Sequence, residues 1–154
     1  MQAEFGPVDK MPDPQFWGMI GLINGTGWHD NATDLEPLKA ALKSLDDLEI
    51  CAFEEALSQK LFALDTRHHY RSFSWFPGLS DTFLYKRLAV VAQEEDYFTK
   101  VLNIPHKFPW RSTKWLEGLL YVAREAFEEK YGRDLDYSAS ICCESFSNAK
   151  GWQK

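Results

Sequence analysis

The residues best equipped for chemistry lie in one stretch, where His68 and His69 stand side by side between Arg67 and Tyr70–Arg71, with Asp65 just upstream. Imidazoles exchange protons near neutral pH and bind metals, and a neighbouring carboxylate can fix the ring tautomer. Consecutive residues on a helix diverge by about 100 degrees, so both rings reach one ion only if the backbone is extended there. No His-x-x-x-His or Cys-x-x-Cys spacing accompanies the pair, which leaves surface or partner-contacting histidines as the competing reading. A ligand site here would combine His68 and His69 with Asp81, although Ser80–Asp81 reads equally as a helix start. The adjacent Cys142 and Cys143 lack the strand-to-helix elbow or local base of an activated nucleophile. Gly25-Thr26-Gly27 lacks the further Gly and Lys of a phosphate cradle. The sequence therefore assigns no catalytic residue, no metal and no cofactor.

Recognition is the stronger theme. The net charge is −6, and residues 34–65 carry 3 basic and 8 acidic side chains, whereas residues 66–115 carry 8 and 4. The acidic excess falls on the second and third expected helices, where Asp47, Glu54 and Glu55 form a candidate face for a basic protein partner; the alternative is a solvated face that keeps the chain soluble. A duplex phosphate backbone would be repelled by most of the molecule, so nucleic acid is not the expected partner. Aromatic residues make up 15% of the chain, and Trp75 and Phe76 stand in a run of aromatic and basic residues that suits a protein hot spot if exposed and a sealed core if not.

The positioning elements read as helices. Asp13–Pro14 marks the start of a helix over 14–24 that buries Phe16, Ile20 and Ile23 and stops at Gly25 and Gly27; Gly18 and Gly21 within it imply a close neighbour on that face. Thr33 with Glu36 predicts a capped helix over 34–43 with Leu35, Leu38 and Leu42 inward. Ile50, Phe53, Leu57, Leu61 and Leu64 recur at intervals of three and four, predicting a helix over 46–65 that leaves Glu54, Glu55, Ser58 and Gln59 off its apolar stripe. Residues 67–79 read as a loop or short helical turn. Ser80 starts a helix over 81–93, a shorter one covers 95–102, and Ser112 or Thr113 starts a last one that runs to Tyr131, with Gly132 as its terminator.

At Phe16–Trp17, Phe53, Ser80-Asp81-Thr82-Phe83 and Glu117-Gly118-Leu119-Leu120-Tyr121-Val122-Ala123 the chain resembles a bacterial family of domains of unknown function, DUF4240. The order of these segments across about residues 13–132 carries the resemblance. Thr82 stands where the family has a second Asp, Lys86–Arg87 replaces an aromatic-Arg pair, and Glu94–Glu95 takes the place of a Gly. The resemblance implies a helical fold and a bacterial setting, and brings no activity with it.

The expectation is a mainly α, single-domain bundle of about six helices with irregular aromatic loops: a lead-in at 1–12, a helical domain at 13–132, and a tail at 133–154 packed on it or partly mobile. No apolar stretch approaches the roughly 20 residues needed to cross a bilayer, the first ten residues carry no secretory signal, and three cysteines make no disulfide framework, so a cytoplasmic setting is expected. The expected function is non-enzymatic protein binding through Asp47, Glu54, Glu55, Trp75 and Phe76. Its sharpest form is an immunity protein that covers a basic bacterial toxin. The alternative is a small enzyme or ligand-binding domain built on His68, His69 and Asp81.

Overall fold

The computed structural model describes residues 5–25, 29–110 and 115–154, and no strand occurs among them. Among the described residues seven α-helices follow one another: α1 (Asp13–Ile20), α2 (Ala32–Lys43), α3 (Asp47–Leu64), α4 (Arg67–Phe73), α5 (Ser80–Ala92), α6 (Glu94–Asn103) and α7 (Val122–Tyr131). Two single 3-10 turns, Pro105–Lys107 and Glu117–Leu120, stand between α6 and α7.

The longest helix, α3, organises the rest. Asp46 accepts from the Glu49 amide at 2.8 Å while Glu49 accepts from the Asp46 amide at 3.0 Å, a reciprocal cap that satisfies two amides the helix itself leaves free. Ile50, Phe53, Leu57, Leu61 and Leu64 are all buried, as their spacing requires. α5 and α7 pack against α3, α2 lies along α7, and α1 touches α2, α3 and α6. Each buried apolar side chain contributes about 1.5–3 kcal/mol relative to exposure, so this shared core dominates the stability of the bundle.

Several starts and stops differ from those the sequence predicts. α1 begins on Pro12 with no side-chain cap, because Asp13 is drawn instead to Lys60 of α3 at 2.8 Å. It ends at Gly21, where an added Cβ would sit 3.0 Å from Glu94 Oε1, whereas Gly18 has open space around it; the close neighbour implied by the two glycines exists only at the second. Asn31, not Thr33, caps α2, and Leu79 precedes α5 without a side-chain cap, so Ser80 does not play the capping role its type suggests. Within 67–79, read as a loop or short helical turn, residues 67–73 form the short helix α4, whose cap is Thr66 through the His69 amide. The expected last helix is shorter: Leu116 is not helical, a 3-10 turn follows, and α7 starts at Val122. Its predicted starts at Ser112 or Thr113, like Gly27, lie outside the described residues. Gly132 ends α7 at φ 69°, a left-handed conformation that favours glycine.

The lead-in is anchored, since the Met11 amide donates to Ala52 O at 2.9 Å and Met11 is buried. The segment 133–154 contains no helix, yet it is packed on the bundle, and two carboxylates of the α3 region hold it. Asp65, wholly buried, accepts from the amides of Phe146 and Asn148, each at 3.0 Å, and from the Trp152 indole at 2.9 Å. Glu55 accepts from the Tyr137 hydroxyl at 2.7 Å, from the Ser140 amide at 2.9 Å and from the Ser140 hydroxyl. Arg124 of α7 completes the attachment by donating to Leu135 O at 3.0 Å and Tyr137 O at 2.7 Å. Charge-assisted bonds of this kind contribute about 1.5–3 kcal/mol each, which explains how a segment of weak apolar periodicity is held in place.

Candidate functional site

His68 and His69 differ sharply in exposure. Residue 69 is buried and residue 68 exposed on the same short helix, the divergence that adjacent helical positions enforce. Both ring nitrogens of His69 are engaged, Nδ1 with Thr66 Oγ1 at 2.7 Å and Nε2 with Val101 O at 2.9 Å. Burial pulls its pKa below the ordinary value, opposed by the Val101 hydrogen bond. His69 is thus a tie between α4 and α6, while Asp81 is exposed at the start of α5. Among the described residues no group of three or more His, Cys, Asp or Glu side chains is arranged to hold a metal ion.

The expected acidic face is also corrected. Glu54 is 9% exposed and Glu55 is 2% exposed, because the 133–154 segment and α7 cover that side of α3; Asp47, at the first turn, is half-buried. A helical wheel places the two carboxylates off the main apolar stripe, but it cannot show that a second layer of chain lies over them.

Two clefts among the described residues are each walled on one side by the 133–154 segment. The first, about 600 Å³, opens between α4, the 74–79 loop and the chain end, with Arg67, Arg71, Trp75, Phe146, Trp152 and Lys154 on its walls. The loop is shaped by local bonds: the Tyr70 hydroxyl donates to Phe76 O, and the Phe76 amide donates to Ser74 Oγ at 3.1 Å. Tyr70 itself is packed edge-on against Phe73 and Phe83 and close to Trp152, so the cleft floor is rigid aromatic core. Above it Trp75 is 79% exposed and Phe76 is 76% exposed. The Arg71 guanidinium lies 5.1 Å from the Trp75 ring centroid, a contact worth about 0.5–1 kcal/mol at an exposed site. The expectation that Trp75 and Phe76 stand in reach of a partner is compatible with this placement; Tyr70 and Phe108 are core, Phe73 is half-buried, and Trp75, Phe76, Trp110 and Trp115 are exposed.

The second cleft, about 510 Å³, lies between α3, α7 and residues 138–144. Glu54 lines it together with Ser58, Tyr121, Arg124, Cys143 and Glu144. Burial pushes the Glu54 carboxyl up to about 7, and Arg124 offsets this only in part. Glu55, one residue on, has the opposite outcome: burial pushes it up, but hydrogen bonds from Ser140, Tyr137 and Gln59 outweigh that and hold it below the ordinary value. Burial also pushes the Cys143 thiol up to about 11, so at neutral pH it is protonated and a poor nucleophile. No position in the sequence distinguishes Glu54 from Glu55; one residue of helical rotation decides which carboxyl meets the tail's donors.

A family model described as "Protein of unknown function (DUF4240)" matches residues 11–129. No curated protein and no solved structure matches the chain. The matched region supplies Arg67, Tyr70, Arg71 and Trp75 of the first cleft and Glu54 and Arg124 of the second; the opposing walls, from Ser138 to Lys154, lie beyond it.

Proposed function

The chain belongs to the DUF4240 family of proteins of unknown function, and from that premise we propose that it is a protein-recognition module whose Trp75 cleft receives an acidic segment of a partner. One observation carries the reading: a tryptophan 79% exposed and stacked by Arg71 at the rim of a cleft whose other charged wall residues, Arg67 and Lys154, are also cationic. Trp, Tyr and Arg are enriched among the few side chains that dominate binding energy at protein interfaces. The chain as a whole is acidic at −6, so the local cations select a short acidic stretch while the remainder of the surface repels an extended polyanion such as a nucleic acid. The burial of Glu54 and Glu55 moves the weight of the protein-binding reading from the acidic face to this aromatic loop. A toxin whose active site is covered through that loop is the narrower form of the proposal, and it requires inhibition as well as binding. No helix among the described residues is long and apolar enough to cross a membrane.

The test is a displayed random-peptide library selected against the intact chain. Peptides enriched in Asp and Glu, with binding weakened about 30-fold or more by Trp75→Ala and lost in Arg71→Glu, support the proposal. Selection of peptides without acidic bias, or binding indifferent to both substitutions, refutes it. Where the binding partner is an enzyme, its inhibition by the wild-type chain and release by Trp75→Ala decides the neutralising form.

A further inference from the structure

The Glu54 cleft raises a separate question, because the same helix shows two carboxyls treated in opposite ways. Glu55 is surrounded by donors from Tyr137, Ser140 and Gln59. Glu54 Oε1 is buried with no hydrogen-bond partner among the described residues. An orphaned buried acceptor costs about 1–3 kcal/mol, and the tail that satisfies Glu55 passes over Glu54 at a distance that leaves a cleft of about 510 Å³ instead.

We propose that this cleft is a binding site for a small uncharged ligand that carries an N–H donor beside a carbonyl-type acceptor, as a primary carboxamide or a nucleobase edge does, with Glu54 Oε1 taking the donor. The charges on the walls select for neutrality. A ligand carboxylate would confront Glu144, on the lining, and a ligand ammonium placed on Glu54 would confront the Arg124 guanidinium, close enough to influence the Glu54 carboxyl. A paired donor and acceptor suits both neighbours. The ligand acceptor is served by Arg124, which has five N–H bonds and donates to the two carbonyls Leu135 O and Tyr137 O, and by the hydroxyl of Ser58, on the same lining. Leu120 and Ile141 supply the apolar surface against which a flat amide-bearing ring packs.

The assignment is independent of the Trp75 cleft and is tested separately. Nicotinamide and cytosine, with benzamidine as the cationic control and benzoate as the anionic one, are titrated into the isotopically labelled intact chain and followed by amide chemical shifts. The expected result is saturable shifts at residues 138–144 with nicotinamide or cytosine and none with the charged controls. Glu54→Leu, which removes the orphaned oxygen without enlarging the side chain, weakens binding by about tenfold or more, whereas Glu54→Gln, which keeps an acceptor oxygen, stays within a few-fold. Trp75→Ala leaves these affinities unchanged. The proposal is overturned if no neutral probe binds, if benzamidine or benzoate binds better, if the shifts map away from residues 138–144, or if Glu54→Leu binds as the wild type does. Should Glu54→Leu fail to fold, the mapping in the wild type and the charge preference among the four probes still decide the matter.

Discussion

At the Trp75 cleft the rim tryptophan stays in solvent and the charged groups on the rim are cations, whereas at the Glu54 cleft a carboxyl is pressed out of solvent beneath a strip of tail. Both clefts share the 133–154 segment as a wall, and each has its own fastening: Asp65 binds Phe146, Asn148 and Trp152 beside the first, and Glu55 binds Tyr137 and Ser140 beside the second. The difference teaches what a buried carboxyl does in this fold. Where the chain brings donors to it, the carboxyl becomes a strap, and where the donors are missing it becomes a candidate site. Exposed aromatic surface is a third case, in which the protein leaves apolar area uncovered at the cost of solvating it.

The sharpest way to break the comparison is Asp65→Ala. It removes the acceptor for three donors and leaves Arg87, wholly buried and donating to Leu61 O and Ser145 Oγ, without the carboxylate that does most to offset its burial. A loss of about 3–5 kcal/mol is expected, with amide exchange accelerated first at residues 145–152. Exchange that accelerates equally at 137–140 would show that the two fastenings are one unit and the clefts are not separable.

Glu54 and Glu55 give the next two effects, with opposite pH signs. The folded-state value of Glu54 lies at about 7 against 4.5 for the unlinked group, so the native state holds its proton more tightly than the unfolded chain. Its contribution to stability is full below 4.5 and is lost as pH rises through about 7, a fall of roughly 3 kcal/mol at most. Urea titrations at several pH values should show that decline in the wild type and a flatter profile in Glu54→Gln; identical profiles would mean that Glu54 is not held neutral by its surroundings. Glu55 is held below its ordinary value, so its contribution is present above 4.5 and disappears as pH falls through the lowered value. Glu55→Gln should cost about 1–3 kcal/mol near neutrality and lose that cost under acid.

The smallest effect on stability belongs to Trp75→Ala. With the ring mostly in solvent, the substitution is expected to change unfolding free energy by no more than about 0.5 kcal/mol, while abolishing acidic-peptide selection. A large destabilisation would reveal Trp75 as a packing residue and remove the contrast with the buried aromatics Tyr70 and Phe108.

Much of this was readable from residue order alone. The three-and-four spacing of Ile50, Phe53, Leu57, Leu61 and Leu64 dictates a helix because only that geometry puts all five on one side, and the Gly after Tyr131 dictates where α7 stops because a left-handed residue is needed there. The alternation of such stripes made a helical bundle with no sheet the natural outcome. Positions whose meaning depends on distant partners were opaque. Asp13 is drawn from capping to Lys60, 47 positions away; Asp65 meets donors 81 to 87 positions away; and His69 ties to a carbonyl of α6. Local pattern determined which segments coil and which face turns inward, since those follow from backbone sterics and the period of the apolar residues. Which carboxyl is satisfied, which is orphaned and which aromatic stays in water was decided only when the irregular final segment crossed α3, because hydrogen bonding and desolvation depend on atoms within a few ångströms regardless of their separation along the chain.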